Sequence, residues 1–122
     1  MIFIIGGSNQ GAMEYGQTRV NDSSLVDVKA MLAKNFDYIY NENMTEIRDA
    51  VDSEWESITK IIKEDKSAVF VGTEMGCGVV SVNKKDRLFC ELNGRINCLI
   101  AREADEVVRV FCGIPTTIKK EN

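Results

Sequence analysis

Ile4-Ile5-Gly6-Gly7-Ser8-Asn9-Gln10-Gly11-Ala12-Met13 decides how this chain is read. The apolar run Met1–Ile5 predicts a buried strand that ends against Gly6, and Gly11 follows five residues later. That is the G-x-x-x-x-G frame of a phosphate-binding loop. A complete loop continues with lysine, which reaches the outer phosphates, and then Ser or Thr, whose hydroxyl holds magnesium. Here those places are Ala12 and Met13. The backbone of Gly6, Gly7, Ser8, Asn9, Gln10, Gly11, Ala12 and Met13 can still cradle an anion at a helix start. The side chains that stabilise a transferring phosphoryl group are absent.

Outward from the loop, 122 residues predict one domain spanning 1–122, and 44% hydrophobic residues can supply its core. The net charge of −4 argues against nucleic acid as a partner. No apolar run approaches the ~20 residues of a membrane span. Met1–Ile5 lacks the basic start and length of a secretory signal, so a cytoplasmic protein is expected. The four cysteines, Cys77, Cys90, Cys98 and Cys112, form no C-x-x-C pair, and there is no histidine. Buried free thiols in a reducing compartment are expected, with no metal site. Without histidine there is no Ser-His-Asp triad, no Cys-His pair and no nucleotidyl-histidine intermediate.

Strands and helices alternate along the rest of the chain. Gly11 to about Arg19 predicts a short helix leaving the loop. Ser23 or Ser24 is expected to cap a second helix with Leu25, Val28, Met31 and Leu32 on one face. Phe36–Tyr40 reads as a short strand. Met44, Ile47, Val51, Trp55, Ile58 and Ile62 form one apolar helical stripe, capped by Asn43 or Thr45, with Trp55 as a packing anchor. Ser67–Gly72 predicts a buried strand. Lys84 to about Arg102 predicts a long helix with Leu88, Leu92, Ile96, Leu99 and Ile100 inward. Glu106–Cys112 reads as a strand, Gly113-Ile114-Pro115 as a turn, and Thr116–Ile118 as a short edge strand. This order predicts a parallel sheet with helices on both faces. Ligands of such sheets sit at the carboxyl ends of the strands, where the Gly6–Gly11 loop and the segment after Val71 both fall.

That second segment is Thr73-Glu74-Met75-Gly76-Cys77-Gly78-Val79-Val80. Glu74 can bind magnesium or orient a nucleophile, and the glycines can admit a ligand to the backbone. Equally, the segment is a tight turn that needs glycine for its dihedrals. In the last long helix, Arg87, Asn93, Arg95 and Asn97 recur beside Gly94. Glycine there costs ~1 kcal/mol relative to alanine. It marks either close packing against a neighbour or ligand, or a solvated face that tolerates one glycine.

These pieces together resemble one family. Thr73–Val80, then Arg87-Leu88-Phe89-Cys90-Glu91-Leu92-Asn93-Gly94-Arg95-Ile96-Asn97, then Ala104-Asp105-Glu106-Val107-Val108, then Gly113-Ile114-Pro115 and Ile118-Lys119 are similar to the C-terminal signature of adenosylcobinamide kinase/adenosylcobinamide-phosphate guanylyltransferase. The order and spacing match over about residues 68–120, and Gly6–Met13 falls where that family keeps its phosphate-binding loop.

The resemblance implies a P-loop NTPase, RecA-like three-layer α/β sandwich with a mostly parallel central sheet. It implies a place in cobalamin biosynthesis, GTP or ATP with magnesium as cofactors, and a homo-oligomer. It also places Glu74 as a catalytic residue, with Gly76, Arg87 and Asn97 as accessory residues at the same edge. The departures are Ala12, Met13, the missing guanylylated histidine, and a shorter stretch between the loop helix and the Ser67–Gly72 strand.

Three functional readings follow. The first is a nucleotide- or phosphate-binding homologue with degraded transferase activity. The second is a surviving kinase in which Arg19, Arg87, Arg95 or a neighbouring subunit replaces the missing cation. The third is a non-catalytic subunit partnering a true family enzyme or another cobalamin-pathway protein.

Overall fold

The computed structural model describes residues 1–75 and 83–121. Its elements, in order, are β1 (Ile2–Gly6), α1 (Ala12–Arg19), β2 (Leu25–Asp27), α2 (Val28–Ile39), α3 (Arg48–Glu64), β3 (Val69–Thr73), α4 (Lys84–Glu103), β4 (Glu106–Phe111) and β5 (Ile114–Lys120). The five strands form one sheet in the order β2-β3-β1-β4-β5. The first four are mutually parallel, and β5 returns antiparallel beside β4.

Alternation along the strands sorts side chains onto two faces. Ile4, Val69, Val71, Val108 and Val110 point to one face and pack with Ala12, Met13 and Tyr15 of α1. Phe3, Phe70 and Val107 point to the other and join the core of α2, α3 and α4. The fold is therefore a three-layer α/β sandwich with one helix on one face and three on the other. Among the described residues, no helix is long and apolar enough to cross a membrane.

The expected Gly113-Ile114-Pro115 turn is shorter, because Ile114 and Pro115 already pair with Phe111 and Val110, and the edge strand runs over Ile114–Lys120 rather than Thr116–Ile118. Two further elements differ in kind from the sequence expectation. Leu25–Asp27 is a strand, paired with Val69–Val71 of β3, rather than the first turn of a helix. Ser24 accepts a bond from Val69 N at 2.8 Å, and its own N–H donates to Asp65 at 2.7 Å, so it anchors a strand. The cap of α2 is instead Asp27, whose side chain accepts from Ala30 N at 3.1 Å. The expected strand at Phe36–Tyr40 is the end of α2. Val28, Leu32 and Phe36 make an i, i+4, i+8 stripe, all buried, and this outweighs the β propensity of the aromatic run.

The stripe on α3 also lies differently. The helix starts at Arg48, with Ile47 at its cap position and no side-chain cap from Asn43 or Thr45. Its buried residues are Ala50, Glu54 and Ile58, while Val51, Trp55 and Ile62 are half-buried against the core. Leu99 on α4 is likewise half-buried. Gly94 lies in open space, so its glycine is a tolerated one on a solvated face. The expected burial of the cysteines is corrected as well. Cys98 and Cys112 are exposed free thiols and Cys90 is half-buried, because they fall off the inward faces of α4 and the β4–β5 turn.

Candidate functional site

The loop from Gly6 to Met13 is shaped by main-chain constraints before any side chain is considered. Gly6 sits so close to β4 that a Cβ there would meet Val110 O at 2.6 Å. Its carbonyl accepts from Glu74 N at 2.9 Å, which ties the start of the loop to the end of β3. Asn9 has φ 60 and Gly11 φ 96, both left-handed, and the Gly7–Gln10 turn closes with Gln10 N donating to Gly7 O at 3.3 Å. Gly11 also lies against the β4–β5 turn, where a Cβ would meet Gly113 Cα at 3.2 Å.

That turn grips the loop through Gln10 on two sides. Gly113 N donates to Gln10 O at 2.8 Å, and Cys112 N donates to Gln10 Oε1 at 2.7 Å. Cys112 and Gly113 both adopt positive φ to present these N–H groups. The loop then enters α1, whose N-terminus has no side-chain cap. The first N–H groups of a helix have no intrahelical partner, so an uncapped start favours an anion.

A cavity of about 180 Å³ lies under this loop. Its described lining runs from Gly6 to Glu14, with Asp27 from the cap of α2 and Val71, Gly72 and Thr73 from the end of β3. The loop and the end of β3 thus meet at the carboxyl edge of the sheet, as the register Gly6 to Thr73 requires. Ala12 is buried against Val110 and its neighbours yet still reaches the cavity wall. Met13 is half-buried on the same apolar cluster. Lysine and arginine are absent from the described lining, and the charged groups there are Glu14 and Asp27.

The other residues singled out in the sequence are placed elsewhere. Glu74 follows β3, and Arg109 of β4 grips its carboxylate in a two-pronged pair at 3.0 and 3.2 Å. Arg109 in turn lies 5.8 Å from the ring centre of Phe111. The main chain of Glu74 secures the loop, but its side chain is not part of the described cavity wall.

Asn97 is buried with Asn93 on the face of α4 that meets β3. Both side-chain amides donate to Thr73 O, at 3.3 and 2.9 Å. They fix the end of β3 from the opposite side of the sheet. Arg87, in the first turns of α4, lines a separate cavity with Thr45 and Glu91. The expected gathering of Glu74, Arg87 and Asn97 at one edge of the loop cavity is not what the structure has. Gly76, with Cys77 and Gly78, lies outside the described residues.

Two of the arginines considered as substitute cations are already engaged. Arg19 closes a two-pronged pair with Glu106 at 2.8 and 3.1 Å and donates to Tyr15 Oη at 2.8 Å, at the far end of α1. Glu106 raises the Arg19 pKa through that bond, and Arg19 lowers that of Glu106 in return. Arg95 pairs with Glu91 at 2.7 Å on the exposed side of α4.

Sequence reasoning missed Asp27 and Glu14 in the cavity wall, and Arg109 beside Glu74. Asp27 had a legible signal, since it stands directly before the Val28-Leu32-Phe36 stripe as a cap should. Glu14 and Arg109 had none.

A glycine-framed loop that joins a central buried strand to a helix start, at the carboxyl edge of a mostly parallel sheet, defines the P-loop NTPase class. Within that class, the family model described as cobinamide kinase/cobinamide phosphate guanyltransferase matches residues 2–118, and the chain belongs to this family. The family is one of nucleotide-using transferases related to cobalamin biosynthesis. No curated protein matches the chain.

Proposed function

We propose that this protein is a nucleotide- or phosphate-binding homologue within its family, with the cradle retained and the transfer chemistry degraded. The observation that carries this reading is the cavity under Gly6–Met13. It is open, backed by an uncapped helix start, and its described wall has carboxylates where a phosphate site needs cations. Ala12 leaves no ammonium for the outer phosphates, and Met13 leaves no hydroxyl for magnesium. Glu14 and Asp27 oppose a bare triphosphate, so any binding is expected to depend on a divalent cation that offsets their charge.

The surviving-kinase reading is weakened by the engagement of Arg19 and Arg95, and would need a cation from a neighbouring subunit. Glu74 keeps a catalytic role only if it leaves Arg109. The non-catalytic reading, with a homo-oligomer or a cobalamin-pathway protein as partner, draws on Phe111, Ile114 and Ile118. These apolar side chains are exposed on the β4–β5 hairpin. Sedimentation of the purified chain tests the oligomer, which predicts a mass above the 13.7 kDa of one chain.

The test of the main reading is calorimetric titration with GTP and ATP, with and without magnesium, beside an Ala12→Lys/Met13→Ser variant. Weak or absent binding that the variant strengthens is expected. Tight binding and turnover by the unchanged protein would overturn it.

A further inference from the structure

The last peptide unit of β3, between Thr73 and Glu74, is held from both sides. Its N–H, that of Glu74, donates to Gly6 O at 2.9 Å and so fastens the first residue of the loop. The trans peptide turns its carbonyl the other way, away from β1. On that side β2 has already ended, with Asp27 opposite Val71, so no β2 residue stands opposite Thr73. Helix α4 supplies the donors instead. Asn93 Nδ2 donates to Thr73 O at 2.9 Å and Asn97 Nδ2 at 3.3 Å.

The two asparagines stand one turn apart on α4, beside the buried Leu92, Ile96 and Ile100. They are only 1% and 8% exposed. Gly72 makes the approach possible, because a Cβ there would meet Asn97 Oδ1 at 2.9 Å and the Phe3 ring at 2.7 Å.

The amides enter the core at a cost. The Oδ1 atom of each is buried and accepts no hydrogen bond from the described residues. A carbonyl oxygen withdrawn from water without a donor weakens the fold. Asparagine is also a poorer helix former than leucine or alanine. An apolar pair on this face of α4 would carry neither cost, but it could not direct two donors onto one acceptor. Two N–H groups on Thr73 O also polarise the peptide, which strengthens its N–H as a donor to Gly6 O.

We infer that Asn93 and Asn97 are positioning residues of the Gly6–Met13 loop. They act across the sheet, through the Thr73–Glu74 peptide, and set where Gly6 passes the chain from β1 into the loop. Neither is in the described wall of the loop cavity, which reaches Thr73. The assignment concerns the shape of the loop and not its ligand, so it stands or falls separately from the nucleotide reading.

The test is amide hydrogen exchange and amide chemical shifts of Asn93→Ala/Asn97→Ala beside the unaltered protein, with urea unfolding as the measure of the whole fold. The Glu74 amide should exchange about tenfold faster, the net worth of one hydrogen bond, and its proton should move upfield. The amide shifts of Gly6–Gly11 should move with it. The amides of Ile96 and Ile100, inside α4, should change only by the factor that the urea measurement sets. A pair with a merely structural role would speed all of these amides by one common factor. That result, unchanged exchange at Glu74, or unmoved Gly6–Gly11 shifts would overturn the inference. Should the double variant fail to fold, the single ones decide, since each keeps one donor. Asn93→Ala removes the shorter bond and should speed the Glu74 amide more than Asn97→Ala does. The reverse order, or no effect of either, would overturn it.

Discussion

The two cavities of this protein are built on opposite principles. The one under Gly6–Met13 is made of backbone: glycines at positive φ or in tight contact, and main-chain bonds to Glu74, Cys112 and Gly113. The one beside α3 depends on a single buried side chain, Glu54, placed by helix register. A backbone cradle of this kind keeps its shape whichever side chains stand at positions 12 and 13, here Ala12 and Met13. The α3 cavity has no such reserve, since one substitution removes the buried carboxylate that marks it. On the proposed reading, shape and chemistry are separable in the first region, whereas the character of the second goes with one buried carboxylate.

The sharpest way to break this contrast is to damage the backbone region directly. Gly6→Val places atoms where Val110 O already stands, and that carbonyl belongs to a sheet strand that cannot step aside cheaply. We expect a loss of about 3 kcal/mol in urea unfolding, at the upper end for overpacking. A loss below ~0.5 kcal/mol would mean that β1 and β4 separate easily and that the loop is not fixed by them.

How far each region was legible in the sequence follows from the same distinction. The glycine spacing, the apolar strands and the 88-92-96-100 stripe of α4 are local patterns, and the structure has them nearly where spacing places them. The Leu25–Asp27 strand was not legible, because three residues carry no alternation and the pairing partner lies more than forty positions away. The Phe36–Tyr40 segment was misread because its aromatic composition favours a strand. Only the continuation of the Val28-Leu32 stripe marks it as helix. Glu54 satisfies the spacing of a core position, but its chemistry argues for solvent, so spacing and composition conflict there. The grip of Gln10 on the β4–β5 turn joins residues a hundred positions apart and leaves no trace in local pattern.

Gln10→Ala tests that grip. It removes the side-chain acceptor of Cys112 N and leaves the Gln10 O to Gly113 N bond in place. We expect a loss of about 1 kcal/mol, the ordinary net worth of one hydrogen bond, with faster hydrogen exchange at the Cys112 amide. Unchanged exchange there would show that the side chain does not hold the turn.

The α3 region should respond to pH with the opposite sign from a paired carboxylate. Burial raises the Glu54 pKa in the folded protein. A carboxyl of that kind favours the fold while protonated. Its contribution is complete below the ordinary glutamate range and is lost as pH rises through the raised folded value. Glu54→Gln, which stays neutral, should therefore gain stability relative to the unaltered protein across that upward interval. The gain should level off above it. Glu46 and Asp49, the other titratable groups lining this cavity, are exposed and remain in both proteins, so the difference isolates Glu54. Parallel stability–pH curves would contradict the assignment.

The smallest effect belongs to neither region. Arg95 and Glu91 pair at i, i+4 on an exposed helix face, and Arg95→Ala should cost about 0.3–0.5 kcal/mol, falling with added salt. A larger loss would reveal a partner for Arg95 beyond Glu91.

On the proposed reading the loop keeps its shape without its chemistry. That reading is tested most directly by calorimetric titration of GTP with magnesium into the unaltered protein and into Ala12→Lys/Met13→Ser. Weak binding by the first is expected, with binding about 10- to 100-fold tighter by the second, the worth of one restored charge-assisted contact. Equal affinity of the two proteins would contradict it. The cradle would then either be unable to take a phosphate at all or already hold its missing cation from a source outside Gly6–Met13.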